Sequence, residues 1–152
     1  MNNQLLSCIT EERGVIQAFL ELLDQEADAL VHGNFVKLPA LTECKAQLAD
    51  QIALLDLERE RHQIALGYSA DHDGANTAAL AGGKNLQQAW QELLKCAAQA
   101  RERNHRNGVL IHTHLDYTRQ SINFLRASGQ SLYGPDGQHK AGIGNGNSIG
   151  AG

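Results

Sequence analysis

The residue types in this sequence that most specifically bind transition-metal ions are its seven histidines and three cysteines. His112 and His114 lie two positions apart, so on a helix they point about 200° away from each other and cannot bind one ion together. The DHD run at 71–73 falls in a predicted loop with no further ligands nearby. We therefore predict no metal site and no cofactor.

The cysteines are few and widely separated. Cys8, Cys44 and Cys96 form no Cys-x-x-Cys pair and no disulfide framework. We interpret all three as reduced residues that pack inside the protein.

Catalytic motifs are also missing from the sequence. The AGG run at 81–83 precedes Lys84, but no predicted strand comes before it and no Ser or Thr follows, as a phosphate-binding loop requires. No nucleophile elbow is present either. The sequence predicts a protein that is not an enzyme.

Two long helices are predicted before residue 67. Over residues 4–31, apolar side chains recur with the period of an amphipathic helix, and Glu12 and the other acids fall outside the apolar stripe. Over residues 38–66, a strict three–four alternation is typical of a coiled-coil seam. This seam consists of Leu38, Leu41, Lys45, Leu48, Ile52, Leu55, Arg59, His62 and Leu66. Gly67 is predicted to end the helix.

A third long helix follows a glycine-rich connection. Residues 67–85 contain four glycines and no sustained period, so we expect a loop with room for one helical turn at 77–81. Asn85 is the predicted N-cap of the third helix. Asn107 and Gly108 would usually signal a turn, but the apolar period resumes in phase after them. We therefore expect a continuous or slightly bent helix as far as Leu125.

Composition and charge narrow the class of protein. A chain of 152 residues with 42% hydrophobic and only 5% aromatic residues is typical of one helical domain. Residues 1–66 carry eleven acids and five bases, and residues 67–152 carry six acids and eight bases. Because the bases are not clustered, we expect no nucleic-acid partner. Without a signal peptide or a long apolar run, the chain is predicted to be soluble and cytoplasmic, with no membrane insertion.

An apolar stripe on the third helix is the main candidate for function. It begins after the polar run RERNHRN at 101–107 and consists of Leu110, Ile111, His114, Leu115, Thr118, Ile122 and Leu125. This stripe and the seam could pack on each other and on the first helix. Alternatively, three long helices leave a groove that a helix of another chain completes. The periodicity leaves both possibilities open.

Three segments resemble one known family. RNHRNGVLIHTHLDYTRQSINFL resembles the Asn-x-x-Asn-Gly motif and apolar helix of the FlgN family of flagellar export chaperones. LYGPDGQ at 132–138 is similar to the Tyr-Gly-x-x-Gly element of that family, and LLDQEADALVHGNFVKLPALTECKAQL is similar to its first helical hairpin. The likeness covers nearly the whole chain, but only 104–108 and 132–138 are specific. Residues 67–85 show no usable match and the terminal AGIGNGNSIGAG is low in complexity, so neither supports a role taken from the family.

The resemblance implies a non-enzymatic type III export chaperone. Such a protein holds the terminal helices of the two hook-filament junction proteins and delivers them to the cytoplasmic domain of the export gate membrane protein. By position, the implied client-binding residues are Asn104, Asn107, Leu110, Ile111, His114, Leu115, Thr118, Ile122 and Leu125. Tyr133 matches the tyrosine implicated in docking at the gate.

We therefore predict an all-α protein, an elongated antiparallel bundle of three long helices with room for a short fourth. Residues 1–132 are the predicted chaperone domain. Residues 133–152 are the predicted tail, which is rich in glycine and should be disordered in isolation. The alternative is a structural helical-bundle protein that self-associates through the seam and has no client.

Overall fold

The computed structural model describes the backbone of residues 2–129 and their side chains from residue 3. Helix α1 spans Asn2–Val31, and a 3-10 turn at Phe35–Lys37 leads into α2, Leu38–Ala65. Helix α3 spans His72–Ala81, and α4 spans Lys84–Ala127. Between residues 2 and 129 there is no β-strand, which confirms the predicted all-α class. The predicted tail, 133–152, lies outside the described residues.

The chain divides into two compact units, Met1–Gly108 and Val109–Gly152. Helix α4 contributes residues to both units. The predicted boundary between residues 132 and 133 lies outside the described residues, so that division stays a prediction.

Ion pairs show how α1 and α2 run in the first unit. Lys45 Nζ lies 3.2 Å from Glu26 Oε1, and Arg59 Nε lies 3.1 Å from Glu12 Oε1. A residue late in α1 thus pairs with one early in α2, and a residue in the first half of α1 pairs with one late in α2. The two helices are therefore antiparallel, as the sequence predicts.

The first part of α4 runs in the same direction as α1. Arg13 of α1 forms an ion pair with Glu92, and Arg103 Nη1 lies 3.1 Å from the carboxylate of Asp24. The earlier residue of α1 pairs with the earlier residue of α4, and the later with the later. Helix α4 is therefore parallel to α1 here and antiparallel to α2. The first unit is an up-down-up bundle, which confirms the predicted antiparallel arrangement.

The core of this bundle is built by α1, α3 and α4. Leu5, Leu23 and Leu86 are at most 2% exposed, and burial of each such side chain contributes about 1.5–3 kcal/mol. The buried apolar cluster consists of Leu5, Ile9, Ile16, Leu20, Leu23, Ala75, Ala78, Ala79, Leu86, Trp90, Leu93 and Ala100.

The predicted seam is the inner face of α2. Leu55 and Arg59 are buried, and the remaining seam residues are half-buried. The seam is therefore at least partly covered within its own unit, and self-association through it stays an alternative.

Glu12 corrects one prediction for α1. Its side chain is 5% exposed, whereas the sequence pattern places it outside the apolar stripe. Burial raises the pKa of Glu12, and the neighbouring Arg59 guanidinium opposes that rise by its charge and its hydrogen bond. Arg59 also pairs with Asp56 and lies 5.1 Å from the centroid of the Trp90 ring. A buried ionic network therefore replaces apolar packing at this point of the seam.

Helix α3 is longer than the single turn predicted for the connection. The Asp71 side chain caps it by accepting a hydrogen bond from the Gly74 backbone N–H at 2.8 Å. A Cβ at residue 74 would lie 1.9 Å from the Ser69 carbonyl oxygen, so only glycine fits here. Ala75, Ala78 and Ala79 then enter the core. The glycines suggested a loop, but one of them serves close packing at the start of a helix.

Helix α4 begins at Lys84, so Asn85 is not its N-cap as predicted. The first helical hydrogen bond joins the Gln87 N–H to the Gly83 carbonyl oxygen at 3.0 Å. The helix continues through Gly108 without a break, as the apolar phase predicts. None of the helices described here is long and apolar enough to cross a membrane.

All three cysteines are free thiols. Cys8 is buried and Cys96 is half-buried, in agreement with a packing role. Cys44 is exposed, so the prediction that it packs inside the protein is wrong for this residue.

Candidate functional site

The Asn-x-x-Asn-Gly motif belongs to a polar network at the end of the first unit. Asn107 Nδ2 donates hydrogen bonds to the Leu23 carbonyl oxygen at 2.8 Å and to Glu26 Oε1 at 3.0 Å. Lys45 Nζ donates to both Glu26 carboxylate oxygens and to Asn104 Oδ1 at 2.9 Å. The network therefore joins α1, α2 and α4.

The two asparagines of the motif differ in accessibility. Asn107 is 1% exposed and uses its amide within the protein, whereas Asn104 is exposed. Because Glu26 is only 2% exposed, its charge depends on Lys45 and Asn107 for compensation. The structure thus gives Asn107 a role in positioning α4. Contact of either asparagine with a client stays a prediction.

Beyond Gly108, the helix has an apolar face that is not buried. No side chain from residue 109 to 129 is buried. Leu115 is 54% exposed, and Thr118 is exposed as well. The other stripe residues are half-buried, namely Leu110, Ile111, His114, Ile122 and Leu125. The predicted stripe therefore keeps much of its apolar surface accessible.

Two aromatic residues extend this stripe, and the sequence analysis missed them. Tyr117 is 70% exposed and Phe124 is 71% exposed. Residues seven apart on a helix lie on almost the same face, and both fall beside Leu110 at the edge of the stripe. Tyr117, Phe124 and Leu125 border a shallow depression together with Gln120 and Ser121. Their seven-residue spacing could have shown from the sequence that both belong to the stripe.

We call the whole set the distal apolar face: Leu110, Ile111, His114, Leu115, Tyr117, Thr118, Ile122, Phe124 and Leu125. It covers roughly half of the helix circumference at about 100° per residue. The opposite side carries polar residues such as His112, Asp116 and Asn123, all exposed. Tyr133 lies outside the described residues.

The arrangement defines a class: a helical-bundle protein in which one long helix presents an unburied amphipathic face. The model of the FlgN protein family matches residues 1–141 of the chain. The chain belongs to the FlgN family, which confirms the resemblance in the sequence.

Two relatives carry the same degree of similarity. The chain is 29% identical over 140 residues to the Flagella synthesis protein FlgN of Yersinia enterocolitica serotype O:8 / biotype 1B. It is also 29% identical over 140 residues to a second Flagella synthesis protein FlgN, of Yersinia enterocolitica. Each alignment covers 90% of this chain and 90% of the relative. No solved structure matches the chain significantly.

Proposed function

We propose that this protein is a cytoplasmic, non-enzymatic export chaperone of flagellum assembly. It binds the terminal helices of the hook-filament junction proteins through the distal apolar face. It then delivers them to the cytoplasmic domain of the type III export gate. Membership of the FlgN family supports the flagellar role.

The observation that carries the proposal is the exposure of the distal apolar face. A contiguous exposed apolar face with a polar opposite side is typical of a site that binds another macromolecule. The face combines an aliphatic centre with Tyr117 and Phe124, which are 70% and 71% exposed. Aromatic side chains contribute strongly when a partner covers them. A helix with its own apolar stripe is the partner whose shape fits a helical face.

The physical benefit of this binding follows from the nature of such a client. A terminal helix that will form a coiled coil in the filament exposes an apolar stripe before assembly, and free stripes associate with each other. Covering the stripe lowers the concentration of free stripes. Burial of about 1,000–1,500 Å² in total is compatible with micromolar or tighter binding. Holding a client in this way needs no nucleotide.

The polar network of the first unit would hold the part of α4 that precedes the site. The network of Asn107, Glu26 and Lys45 fixes the last turn of α4 before Gly108. Asn104, which is exposed, is available to a client as well. In this proposal Asn107 acts on binding through the position of the helix that follows it.

Docking at the export gate is assigned to Tyr133. The residue lies outside the described part of the chain, and its role comes from the match of LYGPDGQ to the Tyr-Gly-x-x-Gly element. An aromatic ring gives a compact anchor for a pocket on a second partner.

Calorimetric titration with a terminal helical fragment of a junction protein tests client binding. Leu115→Asp places a charge on the distal apolar face and should weaken binding about tenfold or more. The matched control is Asn123→Asp, which adds the same charge on the exposed polar side of the helix and should leave the affinity unchanged. Equal affinity of both variants and the parent protein would contradict the proposal.

Truncation before Leu132 tests the division between the two partners. The shortened chain should keep its affinity for the client fragment and lose capture by the gate domain. Tyr133→Ala in the full chain should reproduce the loss of gate capture alone. If truncation also abolishes client binding, the tail is part of the client site.

Light scattering separates the proposal from a self-associating structural protein. A chaperone should form a defined complex when the helical fragment is added. A stable oligomer of the chain alone that ignores the fragment would favour the alternative.

A further inference from the structure

A cluster of three metal-binding residue types lies between α1 and α2, away from the distal apolar face. Cys8 comes from α1, while Glu58 and His62 lie one turn apart on α2. The Cys8 Sγ, a Glu58 carboxylate oxygen and a His62 ring nitrogen all lie within 4.8 Å of one another. Cys8 is buried, His62 is half-buried and Glu58 is exposed. We propose that Cys8, Glu58 and His62 bind a divalent transition-metal ion of the Zn²⁺ class.

The donor set fits such an ion. Zn²⁺ takes sulfur at about 2.3 Å, histidine nitrogen at about 2.0–2.1 Å and carboxylate oxygen at about 2.0–2.2 Å. In a tetrahedral site these bond lengths place the donor atoms roughly 3.5 Å apart. Since no two of the three atoms are more than 4.8 Å apart, each pair needs to approach by no more than roughly 1.3 Å to reach this spacing. The exposed side chain of Glu58 and the half-buried ring of His62 can supply this movement by rotation.

Charged neighbours act on the Cys8 thiol: the carboxylates of Glu58 and Glu12, and the opposing guanidinium of Arg59. The Cys8 thiol donates a 3.6 Å hydrogen bond to the Leu55 carbonyl oxygen. Metal binding replaces the S–H bond with a sulfur–metal bond and releases one proton to solvent. The Glu58 carboxylate would attract a cation, while Arg59, which pairs with Glu12 at 3.1 Å, would oppose that attraction.

The number of protein ligands and the helices that supply them indicate the effect of the bound ion. Three protein ligands leave the fourth tetrahedral position to water, on the exposed side where Glu58 lies. Cys8 is near the start of α1 and His62 near the end of α2, so the ion would join two antiparallel helices. We therefore expect bound metal to stabilise the first unit, since a ligand that binds only the folded state raises its stability. Cys8 and His62 are far apart in the sequence, and only the fold brings them together, so residue spacing gave no sign of this site.

Titration of the metal-free full chain with Co²⁺ tests the site directly. Co²⁺ substitutes for Zn²⁺, and a cobalt–thiolate bond gives a near-ultraviolet charge-transfer band. The titration is done on a Cys44→Ser and Cys96→Ser background, in which Cys8 is the single thiol. The expected result is a thiolate band that saturates at one Co²⁺ per chain and disappears on addition of Zn²⁺. No saturable band would overturn the proposal.

Ligand variants assign the site. His62→Gln and Glu58→Gln should each weaken Co²⁺ binding at least about tenfold, and Cys8→Ser should remove the thiolate band. Exposed His112→Gln is the matched histidine control and should bind as the parent does. If Cys8→Ser fails to fold, the two α2 variants decide the question. Unchanged affinity in both would overturn the assignment.

A second measurement tests the effect of the ion on the fold. Zn²⁺ should raise the melting temperature of the background protein by several degrees and leave that of His62→Gln unchanged. An equal rise in both would show binding elsewhere and contradict the site. Client binding by Leu115→Asp and metal binding at Cys8 are separate observables, so either proposal can fail without the other.

Discussion

The two parts of α4 carry similar amphipathic patterns, yet they make different use of them. Between Lys84 and Gly108 the helix buries Leu86, Trp90 and Leu93 in the core. Between residues 109 and 127 it buries no side chain, although the apolar period continues in phase. An amphipathic pattern therefore shows which side of a helix is apolar, but not whether the same molecule covers that side.

The two units also differ in how deeply their ion pairs are buried. In the first unit, Arg59 and Glu12 form an ion pair whose side chains are 3% and 5% exposed. In the second, Arg119 and Asp116 pair with side chains 71% and 59% exposed. Buried polar partners fix the geometry of a fold, whereas an exposed pair contributes little. We infer that the first unit contributes most of the stability of the described chain, while the second exposes the face for which client binding is proposed.

Removal of buried Arg59 should have the largest effect. Arg59→Ala leaves the Glu12 carboxylate buried without its partner and should lower the free energy of unfolding by about 3–5 kcal/mol. The control Arg119→Ala should cost less than about 1 kcal/mol. Urea denaturation followed by circular dichroism measures both. Similar costs would remove the contrast between the two units.

The Arg59→Ala defect should also depend on pH. Without Arg59, burial raises the pKa of Glu12 further, because burial is its main perturbation. The folded state then binds more protons than the unfolded state above the unfolded pKa of glutamate. The free energy of unfolding of the variant should therefore recover relative to the parent as pH falls from 7 toward about 4.3. A deficit that is constant with pH would contradict burial of an unpaired Glu12 charge.

Truncation of one leucine in each unit tests the comparison through apolar contacts. Leu93 is 3% exposed, and Leu93→Ala should cost about 2–5 kcal/mol. Leu115 is 54% exposed, and Leu115→Ala should cost less than about 1 kcal/mol. A large loss of stability in Leu115→Ala would show that this side chain packs inside the protein.

The asparagine motif should show a smaller contrast. Asn107→Ala removes two hydrogen bonds from a buried network and should cost about 1–3 kcal/mol. Asn104→Ala removes one exposed acceptor and should cost less than about 1 kcal/mol. Thermal unfolding distinguishes the two. Equal small costs would argue that the network does not hold α4 in place.

Replacement of helical glycines should give the smallest effects, and they should be stabilising. A Cβ at Gly14 or Gly108 meets no atom within 4 Å, so alanine fits at both positions. Gly14→Ala and Gly108→Ala should each stabilise the helix by about 0.5–1 kcal/mol. Helicity and denaturation midpoints measure this. Destabilisation by Gly108→Ala would contradict a regular helix at the boundary between the units.

The sequence predicted the helices and missed much of what joins them. Period and terminal glycine gave the bounds of α2, and Gly67 indeed has a positive φ of 91°. The ionic pairing of Glu12 with Arg59 was hidden, because partners 47 residues apart leave no local pattern. Only one turn of helix α3, at 77–81, was predicted, because Gly74 reads as a loop residue. Ala75, Ala78 and Ala79 had the helical spacing that could have revealed it.

The candidate site was predictable in its aliphatic part only. Leu110 to Leu125 repeat with a helical period, but exposure is a property of the folded chain that periodicity does not contain. Asn107 shows the same limit, since its burial depends on Glu26 and Leu23 of another helix. The first unit also exposes Leu54, Leu57 and Ile64 on α2, beside its buried face. These residues are a competing surface, and binding experiments must distinguish them from the distal apolar face.

Hydrogen–deuterium exchange of the full chain, with and without a terminal helical fragment of a junction protein, tests the central claim most directly. Backbone amides of residues 109–127 lie in a helix without buried side chains, so they should exchange readily in the free protein and become protected in the complex. Amides of 84–107 and of α2 should change little. Protection centred on Leu54, Leu57 and Ile64, with none in 109–127, would contradict the account.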